Sequence, residues 1–259
     1  MIQQFSDLTG VYSPTQRSYL EAVMYGSIPG AGSFSTNGEY TTIGVVTNFP
    51  VCSLGAVTVP VSTGVRMSFT GGAQDSPSGT GIGYIAVTHI RADYTEQVEI
   101  VTLNATTPVL SSVTDTVFIN DVVTYSHYTA YPPNNTTGFA SADITVSNAG
   151  TNYAIILSGR RRQFSAYKMI PKGKVFIPQL IVTSSVSGSG GTAKFYIVFR
   201  STTSPYFVPT NGIGMEDATS VIDLKYGRPI TAGTIMGVEA TTSKACIITA
   251  SLIGHTETL

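Results

Sequence analysis

Between residues 84 and 107, apolar side chains fall at Ile85 and Val87, step over the polar His89, and resume at Val98, Ile100 and Leu103; residues 91–97 between the two runs are largely polar. A period of two is the mark of a strand half buried in a sheet, so the pattern predicts a β-hairpin with one face of each strand on a core. Asp93 in the turn can accept hydrogen bonds from the backbone just beyond it, which favours chain reversal there.

Short runs of the same kind recur along the chain. Strand candidates are 41–46, 57–61, 66–70, 117–131 and 144–157, then 166–169, 175–182, 193–200, 220–224, 234–240 and 245–253. Turn-forming residues separate them: the Gly/Ser/Pro stretches 27–38 and 71–83, the prolines Pro132 and Pro133, Pro171-Lys172-Gly173, 187–191 and Asn211-Gly212. One stretch has helical spacing. Ser13 can cap it, Pro14 suits a first helical position, Gln16 can close a capping box, and Tyr19, Leu20, Val23 and Met24 form one apolar stripe that stops at Gly26. So short a helix is marginal alone and must dock, either on its own domain or on a neighbouring subunit. The expectation is an all-β protein of two tandem β-sandwich, jelly-roll-like domains with an extended N-terminal arm carrying one short helix. The expected division is 1–56 for the arm and first strands, 57–162 for the first sandwich and 163–259 for the second.

Composition agrees with strands and many turns. Of 259 residues 11% are charged and 42% hydrophobic, with 26 Gly and 13 Pro, which argues against disorder. Charge is divided along the chain: residues 1–159 hold 3 Lys and Arg against 10 Asp and Glu, whereas residues 160–259 hold 11 against 5. Opposite poles suit contacts between copies or neighbours, and equally a solvated distribution. Cys52 and Cys246 lie among apolar residues and read as buried thiols of a protein assembled in a reducing cytoplasm. No apolar run approaches the roughly 18 residues of a spanning helix, and the first residues lack a signal-peptide pattern, so no membrane role is expected.

Candidate chemistry is sparse. His89, His127 and His255 have no metal-type spacing, no cofactor motif occurs, and there is no nucleophile elbow. Asp93, Glu96 and Glu99 could serve a glycosidase only if two of them faced one cleft; the alternative is solvated carboxylates of a turn and a strand. Tyr125, Tyr128, Tyr131 and Tyr206 are candidates for receptor or glycan contact in loops, although the chain has no Trp. Arg160, Arg161 and Arg162 admit three readings: a solvated linker, a salt bridge to an acidic neighbouring subunit, or phosphate contact with nucleic acid, which no accompanying motif supports.

Three stretches resemble tailed-bacteriophage virion proteins. Ala92-Asp93-Tyr94-Thr95-Glu96, followed by residues 98–104 and Thr106-Thr107-Pro108-Val109, is similar to that family's Asp-x-Tyr-x-Glu turn and the strand after it, with Ala105 standing where the family has Gly. Residues 167–178 resemble the family's Tyr-Thr-Val-Pro-Ala-Gly-Lys strand start, with Lys172 in place of its Ala. Arg228-Pro229-Ile230 and Ala232-Gly233-Thr234-Ile235 resemble its Pro-Ile and Ala-Gly-Thr-Asp-Ile segment without the Asp. The likeness spans roughly residues 80–253. It implies a non-enzymatic structural component of a phage virion, present in multiple copies as a head decoration or a neck or tail adaptor. A fibre-base or host-receptor-binding protein and a glycan-degrading tail enzyme are the alternatives. Implied partners are other virion proteins (capsid, neck or tail) and copies of itself, with a host glycan or receptor left open and no cofactor. The implied location is the virion, assembled in the host bacterial cytoplasm. Tyr19, Leu20, Val23, Met24 and Arg160–Arg162 are the residues expected to contact other proteins.

Overall fold

The structure, a computed structural model, describes residues 31–59, 62–125, 138–187, 190–200, 205–208, 218–223 and 229–258. Tyr19, Leu20, Val23 and Met24, the helix they belong to, His127, Tyr128 and Tyr131 lie outside the described residues. Everything regular in the described part is strand, all of it paired antiparallel.

The chain enters with β1 (Ala31–Ser35), β2 (Gly38–Thr41) and β3 (Val46–Pro50). It continues through β4 (Ser68–Thr70), β5 (Tyr84–Arg91), β6 (Glu96–Thr102), β7 (Val109–Leu110), β8 (Thr116–Thr124), β9 (Ile144–Asn148) and β10 (Thr151–Ile156). The last group is β11 (Lys168–Met169), β12 (Lys174–Val186), β13 (Ala193–Arg200), β14 (Pro205–Val208), β15 (Ala218–Asp223), β16 (Ile235–Thr242) and β17 (Ile247–Thr258). Strands β4 to β10 build two facing sheets, β6-β5-β8 and β10-β9-β4-β7. Inward residues of both sheets, among them Phe69, Ile85, Val87, Val101, Ile119, Val122, Ile144, Val146 and Ile156, close a single core. The other sandwich pairs β1-β17-β12-β15, with β2 also on β17, and β11-β16-β13-β14, with β3 also on β16. Phe176, Ile181 and Leu252 of one sheet meet Ile197 and Met236 of the other, and Ile248 and Ala250 meet Phe195, Val238 and Ala240.

The predicted hairpin is present, with β5 and β6 in register from Tyr84 opposite Thr102 to Ile90 opposite Glu96. Its inner face differs from the expectation. Val98 and Ile100 point outward, 59% and 45% exposed, while Glu99, Val101 and Leu103 turn inward. Val98 with Ile100 and Val101 with Leu103 are two apolar pairs one residue out of phase, and Glu99 selects between them because its carboxylate is held on the inner side by the buried Ser111 hydroxyl and by the N–H of the exposed Ser112 at the rim.

Other expectations shift for tertiary reasons. The loop read at 27–38 contains β1, a Gly/Ser-rich edge strand that exists because β17 is long enough to template it, Ala31 opposite Glu257 through Ser35 opposite Ile253. The stretch read as a strand at 41–46 is instead mainly the connection between β2 and β3, only Thr41 and Val46 lying in strand, and β2 and β3 pair with β17 and β16 respectively. No strand forms at 57–59; Val57 packs there against the cluster that joins the two sandwiches. Tyr206, read as a loop residue, is part of strand β14.

The loop 71–83 is organised around one carboxyl group. Asp75 is fully buried, and its two oxygens accept hydrogen bonds from the backbone N–H groups of Gly72 (2.7 Å), Ile82 (2.9 Å) and Ser141 (2.9 Å). Nearby, Ala105 has φ 50°, a left-handed conformation that suits Gly, and its N–H donates to the Asp75 carbonyl.

Candidate functional site

Three stretches far apart in sequence, residues 92–109, 167–178 and 229–235, meet at the junction of the two sandwiches. Asp93 Oδ1 accepts from the Thr95 N–H (3.0 Å) and hydroxyl (2.6 Å), which fixes the β5–β6 turn and leaves Tyr94 in the left-handed region at φ 64°. The Tyr94 carbonyl then accepts from the Lys172 N–H at 2.7 Å. The Tyr94 ring lies where a side chain on Gly233 would stand, 3.5 Å from the position of a Cβ there. The Asp93-Tyr94 turn thus closes on the Pro171-Lys172-Gly173 turn and on the Ala232-Gly233 turn.

Below this clasp lies a shared core. Ile90, Val117 and Phe118 come from the first sandwich and Tyr167, Met169 and Ile235 from the second. Tyr167 lies flat on Gly237, where a Cβ would sit 2.3 Å from the ring, and its hydroxyl donates to Glu239 Oε1 at 3.1 Å. Asn120 reads the β11 backbone twice: its Nδ2 donates to the Met169 carbonyl (2.9 Å) and its Oδ1 accepts the Met169 N–H (2.8 Å). Being buried, such a bidentate pair is costly to leave half made. Beside it is a cavity of about 20 Å³ lined in part by Cys52, Phe118, Gln163 and Tyr167, room for one water-sized sphere. Burial pushes the Cys52 thiol up to about 11, and Cys246 is likewise a buried free thiol.

The arginine triplet sits on this junction and is engaged within the chain. Arg160 Nη2 is 2.7 Å from Glu39 Oε1. Arg162 Nη2 is 3.1 Å from Asp121 Oδ2. The Arg161 guanidinium stacks 4.2 Å above the Phe139 ring, and its carbonyl accepts from the Thr124 N–H and hydroxyl. Glu39 belongs to β2 and Asp121 to β8, so the triplet ties a strand of each sandwich to the connection between them. Lys168 adds a fourth cation nearby, 5.0 Å over the Phe34 ring; burial holds its pKa below the ordinary lysine value against the pull of Asp121.

The carboxylates weighed for glycoside chemistry have separate tasks. Asp93 caps the turn, while Glu99 faces the first core, accepting from Ser111 Oγ (2.5 Å) and the Ser112 N–H (2.6 Å). His89 is fully buried beside it, its Nε2 3.2 Å from Glu99 Oε2 and its Nδ1 2.9 Å from Thr116 Oγ1. Burial lowers the His89 pKa from its ordinary value, opposed by Glu99 and Asp115. Burial raises that of Glu99, but the Ser111 and Ser112 hydrogen bonds and His89 outweigh it and leave the group below the carboxylate norm. A Thr-His-Glu sequence of contacts is therefore present, but Thr116 and His89 have no exposed surface through which a substrate could reach them. Among the described residues no group of three or more His, Cys, Asp or Glu is placed to hold a metal ion, and no helix is long and apolar enough to cross a membrane.

The exposed apolar positions were not legible in the sequence, since nothing in a Val/Thr alternation says which face meets water. In the described part most gather on sheet faces and one loop tip, Val98 and Ile100 on β6, Val186, Val221 and Ile247 on the β17-β12-β15 sheet, and Ile43 and Val45 between β2 and β3, while Val59, Leu110 and Phe139 lie apart from these groups.

No protein-family model and no curated protein matches the chain. Among solved structures, the chain is similar to a structure of infectious bursal disease virus Gt strain at 10% identity and a TM-score of 0.21, covering 93% of this chain and 77% of that one. It is similar to one of the Gx strain at 12% identity and a TM-score of 0.24, covering 88% and 72%. A VP2 subviral particle of the same virus matches at 11% identity and a TM-score of 0.16, covering 98% and 82%.

Proposed function

We propose that the chain is a non-enzymatic structural component of a tailed-phage virion, incorporated in multiple copies as a head decoration or a neck or tail adaptor. The observation that carries the reading is the meeting of three separated stretches, each resembling phage virion proteins, in one clasp at Tyr94, Lys172 and Gly233. A fixed angle between two sandwiches is what a multi-copy building block needs, because the geometry of each copy sets the geometry of the assembly. In this reading the mechanism is assembly: exposed sheet faces supply contact area, and the segment with Tyr19, Leu20, Val23 and Met24 docks on a neighbouring protein of the particle. Arg160, Arg161 and Arg162 serve the shape of the subunit, through Glu39, Asp121 and Phe139, more than contact with a neighbour or nucleic acid. The two buried free thiols fit assembly in the reducing cytoplasm of a bacterial host before release.

The test is a density map of the intact particle together with mass spectrometry of purified virions. The expected result is a two-sandwich density of this shape repeated around a symmetry axis of the head, neck or tail. Purified particles that lack the chain, or a chain that clears a glycan substrate in a plate assay and loses that activity on substitution of Asp93 or Glu96, would overturn the reading.

A further inference from the structure

The small cavity at the meeting of the two sandwiches is framed by backbones that are tied to one another. The strap that follows β3 is held to the connection between the sandwiches by the Ser53 N–H on the Phe164 carbonyl (2.8 Å) and the Ala166 N–H on the Val51 carbonyl (2.9 Å). That connection is held in turn to β8 by the Gln163 N–H on the Val122 carbonyl at 2.8 Å. Closing the space would break these bonds, so the cavity of about 20 Å³ between the strap, the connection and β8 persists in an otherwise close-packed junction.

Gln163 lines that cavity and is 9% exposed, and its Oε1 has no hydrogen-bond partner among the described residues. A buried carbonyl oxygen left so forfeits the bonds that water gave it in the unfolded chain, which is why buried side-chain oxygens in native proteins nearly always have a partner. The terminal amide turns about a soft torsion and can bring its oxygen or its NH₂ to the cavity. Other polar side chains around the space have bonding capacity left. Ser165 Oγ accepts the Tyr167 N–H at 3.2 Å, while its own hydrogen has only a long contact of 3.5 Å with the Tyr167 carbonyl. The Cys52 thiol donates to the Ala56 carbonyl at 3.5 Å and is neutral, burial having pushed its pKa up to about 11.

We infer that this cavity is a binding site for one ordered water molecule, which hydrogen-bonds the Gln163 amide and joins the connection between the sandwiches to the strap at residues 52–58. An internal water needs roughly 10–15 Å³ of such space and two to four polar partners. The cavity has the space for one, and Gln163, Ser165 and Cys52 supply the partners. Size excludes a larger organic ligand. An ion is excluded by charge, since none of the described lining residues is charged and a desolvated ion would have nothing to pair it. The water satisfies an oxygen that no described protein group reaches, and it adds a link between two of the segments that fix the sandwiches to each other. The site goes beyond the virion reading and stands without it, because it depends on the junction alone.

The experiment is a crystal structure of the full chain at a resolution that shows ordered water, for the wild type and for Gln163→Met, which keeps the side chain's length and removes both polar ends. The wild type is expected to show a single peak in the cavity within hydrogen-bond distance of the Gln163 amide and of Ser165 Oγ or Cys52 Sγ. The Gln163→Met chain is expected to lose that peak. A wild-type cavity without density, a cavity closed by a side chain, or a water that touches other lining groups and not Gln163 overturns the inference. So does a peak that stays in place at full occupancy in Gln163→Met. The wild-type outcomes need no variant, so they decide the matter even where Gln163→Met does not fold.

Discussion

Replacing Asp75 with Ala tests how the loop 71–83 is held. The side chain is buried and its oxygens accept three backbone N–H bonds, from Gly72, Ile82 and Ser141, which bind the two ends of the loop to each other and to the segment before β9. Truncation leaves two buried donors and a part-buried third, at Ser141, each worth about 1–3 kcal/mol when unpaired; entry of water, easiest at Ser141, reduces the sum to about 3–5 kcal/mol. For a cooperative unit the size of the first sandwich that corresponds to a fall in melting temperature of roughly 10–30 °C. Asp75→Asn keeps one acceptor oxygen, which can still serve two of the donors, and sets an NH₂ against the third, so its cost is smaller, about 1.5–3 kcal/mol. The assay is thermal and urea unfolding of both variants followed by circular dichroism. An Asp75→Ala protein melting within about 2 °C of the wild type, or one no worse than Asp75→Asn, would show that the loop is held by something other than this carboxyl group.

Ala105→Gly is expected to stabilise by about 0.5–1 kcal/mol, because φ 50° is strained for Ala and free for Gly; an unchanged or lowered urea midpoint refutes the strain. Acidification should weaken the first sandwich in two stages. The His89 pKa is lowered by burial, so the folded state binds fewer protons and stability falls as pH drops below the ordinary histidine value of 6.5. The Glu99 pKa is also below its ordinary 4.5, so a further loss follows as pH falls through its folded value. Replacing His89 with Gln should remove the upper stage and keep the lower, as read from unfolding midpoints between about pH 2 and pH 8. A chain beginning at Ala31 retains β1–β3 and should keep its sheet spectrum while losing incorporation into particles; one beginning at Ala56 bares lengths of β16 and β17 and should aggregate. A soluble, cooperatively folding chain from Ala56 would contradict the pairing.

The sequence by itself determined the all-β character, the hairpin at β5 and β6, and most strands of the second half. Residues 193–200 were bounded as observed, because residues 195–199 are a continuous aromatic and β-branched run and the sequence on either side is rich in Gly, Ser and Thr. Period and turn chemistry are local, so they can be read from local residues. Facing is not local. Residues 98–103 offer Val98 and Ile100 to one side and Val101 and Leu103 to the other, and what decides is whether Ser111 and Ser112, twelve and thirteen residues from Glu99, are placed to receive its carboxylate on the second side. Strand status at an edge is not local either: Ala31–Ser35 has a loop's composition and becomes β1 because β17, more than two hundred residues later, offers an open edge. The same holds for the contacts of Arg160, Arg161 and Arg162: three readings were open in the sequence, and the side chains, still partly in solvent, meet Glu39, Phe139 and Asp121 only because the two sandwiches close on each other. Propensity is summed over neighbours in the chain, whereas burial, register and charge pairing are settled by neighbours in space, and the clasp at Tyr94, Lys172 and Gly233 exists only among the latter.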